Sequence, residues 1–218
     1  VIGSGPAGLA CAYHLARFGY RVTVFEAAPE AGGMLRLGSP EYRLPRAILD
    51  RQIDRIAALG IEIRCSTAVG RDLPWSELDT FDAVFAAPGA HVGKDARIDG
   101  ASDTRMVRPG LEFLKEVNAG GRPVLGDHVV VVGGGNTAMD CARSALRLGS
   151  EVTVLYRRTP LEMPAIPQEV KEAKLEGVGF RFLATPTAAR AKDGSLVGIE
   201  CQQMELGPPD ESGRRRPV

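Results

Sequence analysis

Apolar and polar positions switch between a period of two and a helical period along this chain, and they do so twice in the same order. Val1 and Ile2 read as the end of a buried strand, residues 3–8 as a glycine-rich turn, and residues 9–18 as a helix closed by Gly19 and Tyr20. Residues 21–26 are β-branched and strand-like. After a loop holding Gly32, Gly33 and Pro40, residues 44–59 place Ile48, Leu49, Ile53, Ile56 and Leu59 at helical spacing, with Gly60 as the stop. Residues 61–64 and 82–87 read as strands, the second ending at Pro88 and Gly89. Residues 91–127 show little periodicity apart from a helix near 111–118, and read as the crossing between domains. From Asp127 the pattern restarts: strand to Val132, turn to Ala138, helix to Leu148, strand over 151–156. A loop with Pro160, Pro164 and Pro167 leads to a charged helix over 168–176 stopped by Gly177. Strands over 179–183 and 196–205 follow, with a turn at Lys192, Asp193 and Gly194.

The repetition is one of residues as well as of pattern. Shifted by 130 positions, Val1-Ile2-Gly3-Ser4-Gly5-Pro6-Ala7-Gly8 falls on Val131-Val132-Gly133-Gly134-Gly135-Asn136-Thr137-Ala138. Cys11, Ala12, Arg17, Gly19, Val22, Thr23 and Val24 then meet identical residues at Cys141, Ala142, Arg147, Gly149, Val152, Thr153 and Val154. Each copy is strand, tight turn, helix, strand, so the expected class is α/β, with two Rossmann-like dinucleotide-binding domains. The boundaries read as 1–105 for the first domain, 106–126 for the connection and 127–218 for the second.

Composition narrows the chemistry by exclusion. With 218 residues the chain can hold two modest cores, and 27 basic against 27 acidic residues give no charge excess toward nucleic acid or an anionic membrane. No run of 18 apolar residues is present, so no membrane span is expected. Cys11, Cys65, Cys141 and Cys201 are far apart and form no C-x-x-C, so no zinc site, iron–sulfur cluster or redox dithiol is expected in this stretch. That usage fits a reducing, cytoplasmic compartment. His14, His91 and His128 are isolated in sequence and read as structural or exposed. The Arg214-Arg215-Arg216 run reads as a solvated loop.

The two turns carry the candidate chemistry. Gly3 allows the tight turn, Gly5 lets backbone approach a pyrophosphate, and Gly8 lets helix and strand pack closely. The helix N-terminus offers free N–H groups and a partial positive charge to phosphates. Glu26, at the end of the second strand, is placed to accept hydrogen bonds from ribose hydroxyls. The second turn, Gly133, Gly134, Gly135, Asn136, Thr137 and Ala138, is the alanine-ended form. Here Tyr156 takes the place of the acid and Arg157 and Arg158 follow. A carboxylate there would repel a 2′-phosphate, whereas two guanidiniums engage its oxygens, which favours NADP(H) over NAD(H). Tyr156 either lines the adenine site or finishes the strand.

Residues 32–45, Gly-Gly-Met-Leu-Arg-Leu-Gly-Ser-Pro-Glu-Tyr-Arg-Leu-Pro, resemble the glutamate synthase small-subunit family. That family includes the flavin/NADPH half of dihydropyrimidine dehydrogenase and related ferredoxin–NADP oxidoreductase subunits. Residues 130–158, then Met163-Pro164, Glu169-Val170 and Glu176-Gly177-Val178, are similar to its NADPH site. The resemblance implies FAD contacts at Gly5, Pro6, Ala7, Glu26, Gly33, Met34, Arg43 and, through backbone, Val69. It implies NADPH contacts at Gly134, Gly135, Asn136, Thr137, Arg157 and Arg158. Ser39 departs from the family's aliphatic residue, and Pro164 stands where some members have a further phosphate-binding arginine. Neither residues 32–45 nor 122–135 contain cysteine, which argues against a dithiol route for electrons. The resemblance implies instead iron–sulfur clusters in a separate segment or partner, such as a larger catalytic subunit. It also implies a later segment completing the FAD domain, so the sequence reads as an incomplete stretch of a longer protein.

Overall fold

The computed structural model describes residues 1–93, 98–209 and 215–218, so Arg214 of the basic run lies outside the described residues. The chain forms two compact units, Val1–His91 and Val92–Val218. In the first, α1 (Pro6–Arg17), β1 (Thr23–Phe25), α2 (Met34–Leu37), α3 (Arg46–Ala57) and β2 (Glu62–Arg64) follow in order. β1 pairs with β2 in parallel, Thr23 opposite Glu62. Ile2 bridges Phe25 on one side and Ala86 on the other, both in parallel. The strand expected over 82–87 is reduced to that one bridge, held by Ile2 N–H to the Phe85 carbonyl and Ala87 N–H to the Ile2 carbonyl, each at 2.8 Å. Val84 and Phe85 there are exposed.

Two small apolar clusters hold this unit. Leu9, Ala31, Leu49 and Ile53 join α1 to α3, and Ala12, Val22, Val24 and Ile61 join α1 to the sheet. Helix α1 begins at Pro6 rather than at the expected Leu9, because proline at the first helical position forfeits no intrahelical bond. The four-residue α2 was not readable from the sequence; its N-cap, Gly33, has φ +53° and turns the chain out of an otherwise irregular loop.

The second unit contains α4 (Gly110–Asn118), β3 (His128–Val132), α5 (Asn136–Arg147), β4 (Glu151–Tyr156), α6 (Pro167–Leu175) and β5 (Gly179–Phe182). Then come β6 (Ala184–Lys192), β7 (Ser195–Gln203), β8 (Leu206–Pro209) and β9 (Arg215–Pro217). β3, β4 and β5 form a parallel sheet in that order. β6 and β7 form a hairpin whose turn uses Asp193 and Gly194 at positive φ, as that turn chemistry requires. β6 was missing from the sequence reading. Its Ala- and Pro-containing stretch has little strand propensity, but β7 on one side and Asp99 on the other supply its backbone partners.

Helix α5 is the centre of this unit. Met139 and Ala142 are fully buried against Val152 and Val154 of the sheet, Phe113 and Leu114 of α4, and Ala173 of α6. The division falls between His91 and Val92, ahead of the expected 105/106 boundary and its separate connection, because Asp99 bridges Ala188 and the Thr104 hydroxyl donates to the Gly194 carbonyl, while Phe113 and Leu114 pack into the core. α4 belongs to this core and is not a crossing. Arg143, nearly buried on α5, pairs with Glu169 and Glu176 of the α6 region at 2.7 Å each, and Arg147 joins at 2.6 Å. The two guanidiniums hold the Glu176 carboxyl down at about 2, so the network stays charged at any ordinary pH.

Candidate functional site

The first glycine turn separates residues the chain needs from residues it leaves open. Gly3 has φ +94°, and a Cβ on it would sit 2.3 Å from the Ala87 carbonyl oxygen. A Cβ on Gly8 would sit 1.9 Å from the Gly3 carbonyl oxygen. Both sites admit only hydrogen for reasons internal to the fold. Gly5 differs: its nearest neighbour to a Cβ is Gly33 Cα at 4.0 Å, an ordinary contact. It caps α1 without any side-chain bond, and Pro6 and Ala7 beyond it are exposed. The opening of the helix is therefore free to meet a phosphate.

Ser4, the unspecified residue of the motif, is the hub of this turn. It is fully buried; its backbone N–H donates to Glu26 Oε2 at 2.8 Å and its hydroxyl to the same oxygen at 2.5 Å. The hydroxyl also accepts from Gly32 N–H at 3.1 Å, drawing the Gly32–Gly33 loop onto the turn. Glu26 Oε1 accepts from Ala28 N–H at 2.8 Å. The carboxylate is thus fixed by three donors, and Oε1 keeps a lone pair for a further hydroxyl. Gly33 lies so close that a Cβ on it would be 2.6 Å from Gly5 Cα.

The structure joins Gly3, Gly5, Gly8, Glu26 and Gly33 into one cluster, with half-buried Met34 opening α2 beside it. Thr67 N–H, two residues before Val69, donates to the Glu26 carbonyl at 2.8 Å, and Val69 itself bridges Leu73. Arg43 lies in the Pro40–Leu44 turn ahead of α3. Arg36 and Arg46 were not foreseen. Arg36 donates to the Ala31 carbonyl at 2.6 Å and pairs with Asp50; Arg46 donates to the Leu35 and Ser39 carbonyls at 3.1 and 2.9 Å. Together they brace residues 31–39. Burial and the neighbouring Arg36 charge lower the Arg46 pKa from its ordinary value. Arg36, just after Gly32 and Gly33, and Arg46, just after Pro45, were the signal available in the sequence.

The second turn is built differently at its middle position. Gly133 has φ +137° and donates to the Leu155 carbonyl at 3.0 Å. A Cβ on Gly134 would meet the Tyr156 ring at 2.6 Å, whereas around Gly135 nothing lies within 4 Å. Gly135 caps α5 with no side-chain bond. Where the first copy pairs Ser4 with Glu26, the second pairs a bare glycine with an aromatic ring. Tyr156 is buried, and its hydroxyl donates to the Glu162 carbonyl at 2.6 Å. Asn136 Oδ1 accepts from Ile166 N–H at 2.9 Å and the Gly134 carbonyl from Ala165 N–H at 3.0 Å, so the following loop is docked on the turn. Thr137 and Arg157 are exposed; Arg158 is half-buried and donates through Nε to the Arg215 carbonyl at 3.1 Å.

Other reactive groups stand apart from these turns. Cys141 donates to the Gly110 carbonyl, and burial pushes its thiol up to about 12. All four cysteines are free. Among the described residues no group of three His, Cys, Asp or Glu is arranged to hold a metal, and no helix is long and apolar enough to cross a membrane.

Two helix openings without side-chain caps, each behind a glycine turn, define a dinucleotide-binding architecture. Residues 1–207 match the model of the family described as pyridine nucleotide-disulphide oxidoreductase, and the chain belongs to that family. It is 51% identical over its whole length to the NADP(+)-dependent formate dehydrogenase subunit beta of Moorella thermoacetica, spanning 31% of that protein. It is 49% identical to the NADPH-Fe(3+) oxidoreductase subunit beta of Geobacter sulfurreducens, again over all of this chain and 33% of the relative. Against the glutamate synthase [NADPH] small chain of Escherichia coli the identity is 38%, over 99% of this chain and 48% of the relative. The chain thus spans from about a third to about half of these relatives. In fold, it resembles Mycobacterium tuberculosis FprA in complex with NADPH, with a TM-score of 0.82 at 23% identity, covering 100% of this chain and 65% of that one. It also resembles T. acidophilum thioredoxin reductase, with a TM-score of 0.65 at 17% identity, covering 100% and 72%.

Proposed function

We propose that this chain is the FAD- and NADPH-binding electron-input portion of a cytoplasmic flavoprotein oxidoreductase. The observation that carries the reading is the contrast between the two turns: Ser4 with Glu26 in the first, Gly134 with Tyr156, Arg157 and Arg158 in the second. The residues fit the groups. Gly5 and Gly135 leave the space that a pyrophosphate needs, and each lies at a helix opening with no side-chain cap. Glu26 Oε1 suits a ribose hydroxyl of FAD, with Gly33, Met34, Arg43 and Val69 as further contacts. Gly134, Asn136, Thr137 and the two arginines suit NADPH. When bound, NADPH supplies hydride and FAD accepts it and releases electrons singly or in pairs. The chain's own residues orient the two nucleotides and set their identity.

The names of the relatives support a portion that serves enzymes with different redox partners: an NADP(+)-dependent formate dehydrogenase, an NADPH-Fe(3+) oxidoreductase and a glutamate synthase [NADPH]. The glutamate synthase type of input is one reading; an input subunit of another family member is the alternative, favoured by the higher identity to the two beta subunits. In either case electrons leave through iron–sulfur clusters or a partner subunit rather than a dithiol, since no cysteine lies in residues 32–45 or 122–135. The test is anaerobic addition of NADPH to the full-length protein. Bleaching of the oxidised flavin absorbance is expected; an unchanged flavin spectrum contradicts the reading.

A further inference from the structure

We propose that the Tyr156 hydroxyl is a positioning group for 2′-phosphate recognition: by holding the 157–162 turn it aims Arg157 and Arg158. This rests on the assignment of NADPH to the second turn. The geometry gives Tyr156 two separable parts. Its ring packs over Gly134, where a Cβ would come within 2.6 Å, and so fixes the strand end against the glycine turn. Its hydroxyl reaches forward six residues and donates to the Glu162 carbonyl at 2.6 Å.

Glu162 in turn closes a capping box. Its carboxylate accepts from Thr159 N–H at 3.0 Å and from the Thr159 hydroxyl at 2.5 Å, while Leu161 N–H donates to that hydroxyl at 3.3 Å. The far end of the segment is tied back to the turn through Ala165 and Ile166. Arg157 and Arg158 therefore begin a loop pinned at both ends to the backbone of the candidate pyrophosphate site. Tyr156 is the near pin. A guanidinium fork recognises phosphate oxygens only when held in direction, so a loosened turn costs recognition of the 2′-phosphate and spares the pyrophosphate contacts at Gly135 and Asn136. The sequence left Tyr156 between lining the adenine site and ending the strand; its hydroxyl bond gives it this third role.

The test uses equilibrium binding by calorimetry on the full-length protein, with 2′,5′-ADP and 5′-AMP as probes differing only at the 2′-phosphate. Tyr156→Phe keeps the ring and removes only the hydroxyl. It is expected to weaken 2′,5′-ADP about tenfold, as for one lost hydrogen bond, and to leave 5′-AMP within about twofold. Unchanged binding of 2′,5′-ADP, or equal loss for both probes, overturns the proposal. Should Tyr156→Phe misfold, Thr159→Ala opens the same capping box with the ring intact, and the same selective loss is required. Arg157→Ala with Arg158→Ala in parallel keeps the two ideas apart. If that variant weakens both probes equally or weakens neither, the NADPH assignment itself falls; if it weakens 2′,5′-ADP selectively and Tyr156→Phe does not, only the positioning role falls.

Discussion

Gly8→Ala is expected to destabilise the first unit by about 3 kcal/mol or more, seen as a fall of about 10 °C or more in its melting temperature and loss of flavin. The reason is a single distance. The new methyl would lie 1.9 Å from the Gly3 carbonyl oxygen, and Gly3 cannot retreat because its own Cβ position faces the Ala87 carbonyl at 2.3 Å. Both obstructing atoms are backbone, so no rotamer change relieves the overlap. The second unit shows what a wider turn tolerates. Ala138 holds the equivalent place, with its Cβ 3.5 Å from where a Cβ on Gly133 would stand. Thermal unfolding followed by circular dichroism checks this; a wild-type melt for Gly8→Ala would contradict the close packing of turn and helix.

The second large effect concerns the cation pair. Arg157→Ala combined with Arg158→Ala is expected to weaken NADPH by about 2–4 kcal/mol, roughly 30- to 1000-fold, from lost charge-assisted bonds. NADH, lacking the 2′-phosphate, should change less than about threefold, because it never used those bonds. Arg158 also donates to the Arg215 carbonyl, so its loss alone loosens a strand contact as well. Arg157, exposed, isolates the phosphate contribution when changed singly. Titration of both nucleotides into the full-length protein is the measurement; equal losses for NADPH and NADH would refute the assignment.

Much of this was legible because glycine is informative where geometry leaves no alternative. The residues at Gly3, Gly8 and Gly133 announce positive φ or near-contact of backbone, and the spacing to Glu26 and Tyr156 follows from one helix and one strand. What stayed hidden depended on partners far away in sequence. Ser4 reads as filler in the motif, yet it is the residue that ties Glu26 to Gly32. Most of β6 has poor propensity and exists through its neighbours' hydrogen bonds. α4 read as part of a crossing because its burial comes from α5, across a stretch with no periodicity of its own. Residues 82–87 erred the other way: Val84 and Phe85 look like strand core, but only Ala86 finds a bridge.

The central claim is that two turns of one design hold two different nucleotides. It is tested most directly by Gly5→Ala and Gly135→Ala in the full-length protein, with bound-flavin stoichiometry and NADPH dissociation constant measured on each. A methyl at Gly5 has its nearest neighbour at 4.0 Å and one at Gly135 has none within 4 Å, so neither change disturbs the chain itself. Each methyl would fill only the space for a pyrophosphate. The account predicts that Gly5→Ala loses flavin and keeps NADPH affinity, while Gly135→Ala keeps flavin and loses NADPH affinity by about tenfold or more. Variants that both weaken the same nucleotide, or that weaken neither, would contradict it.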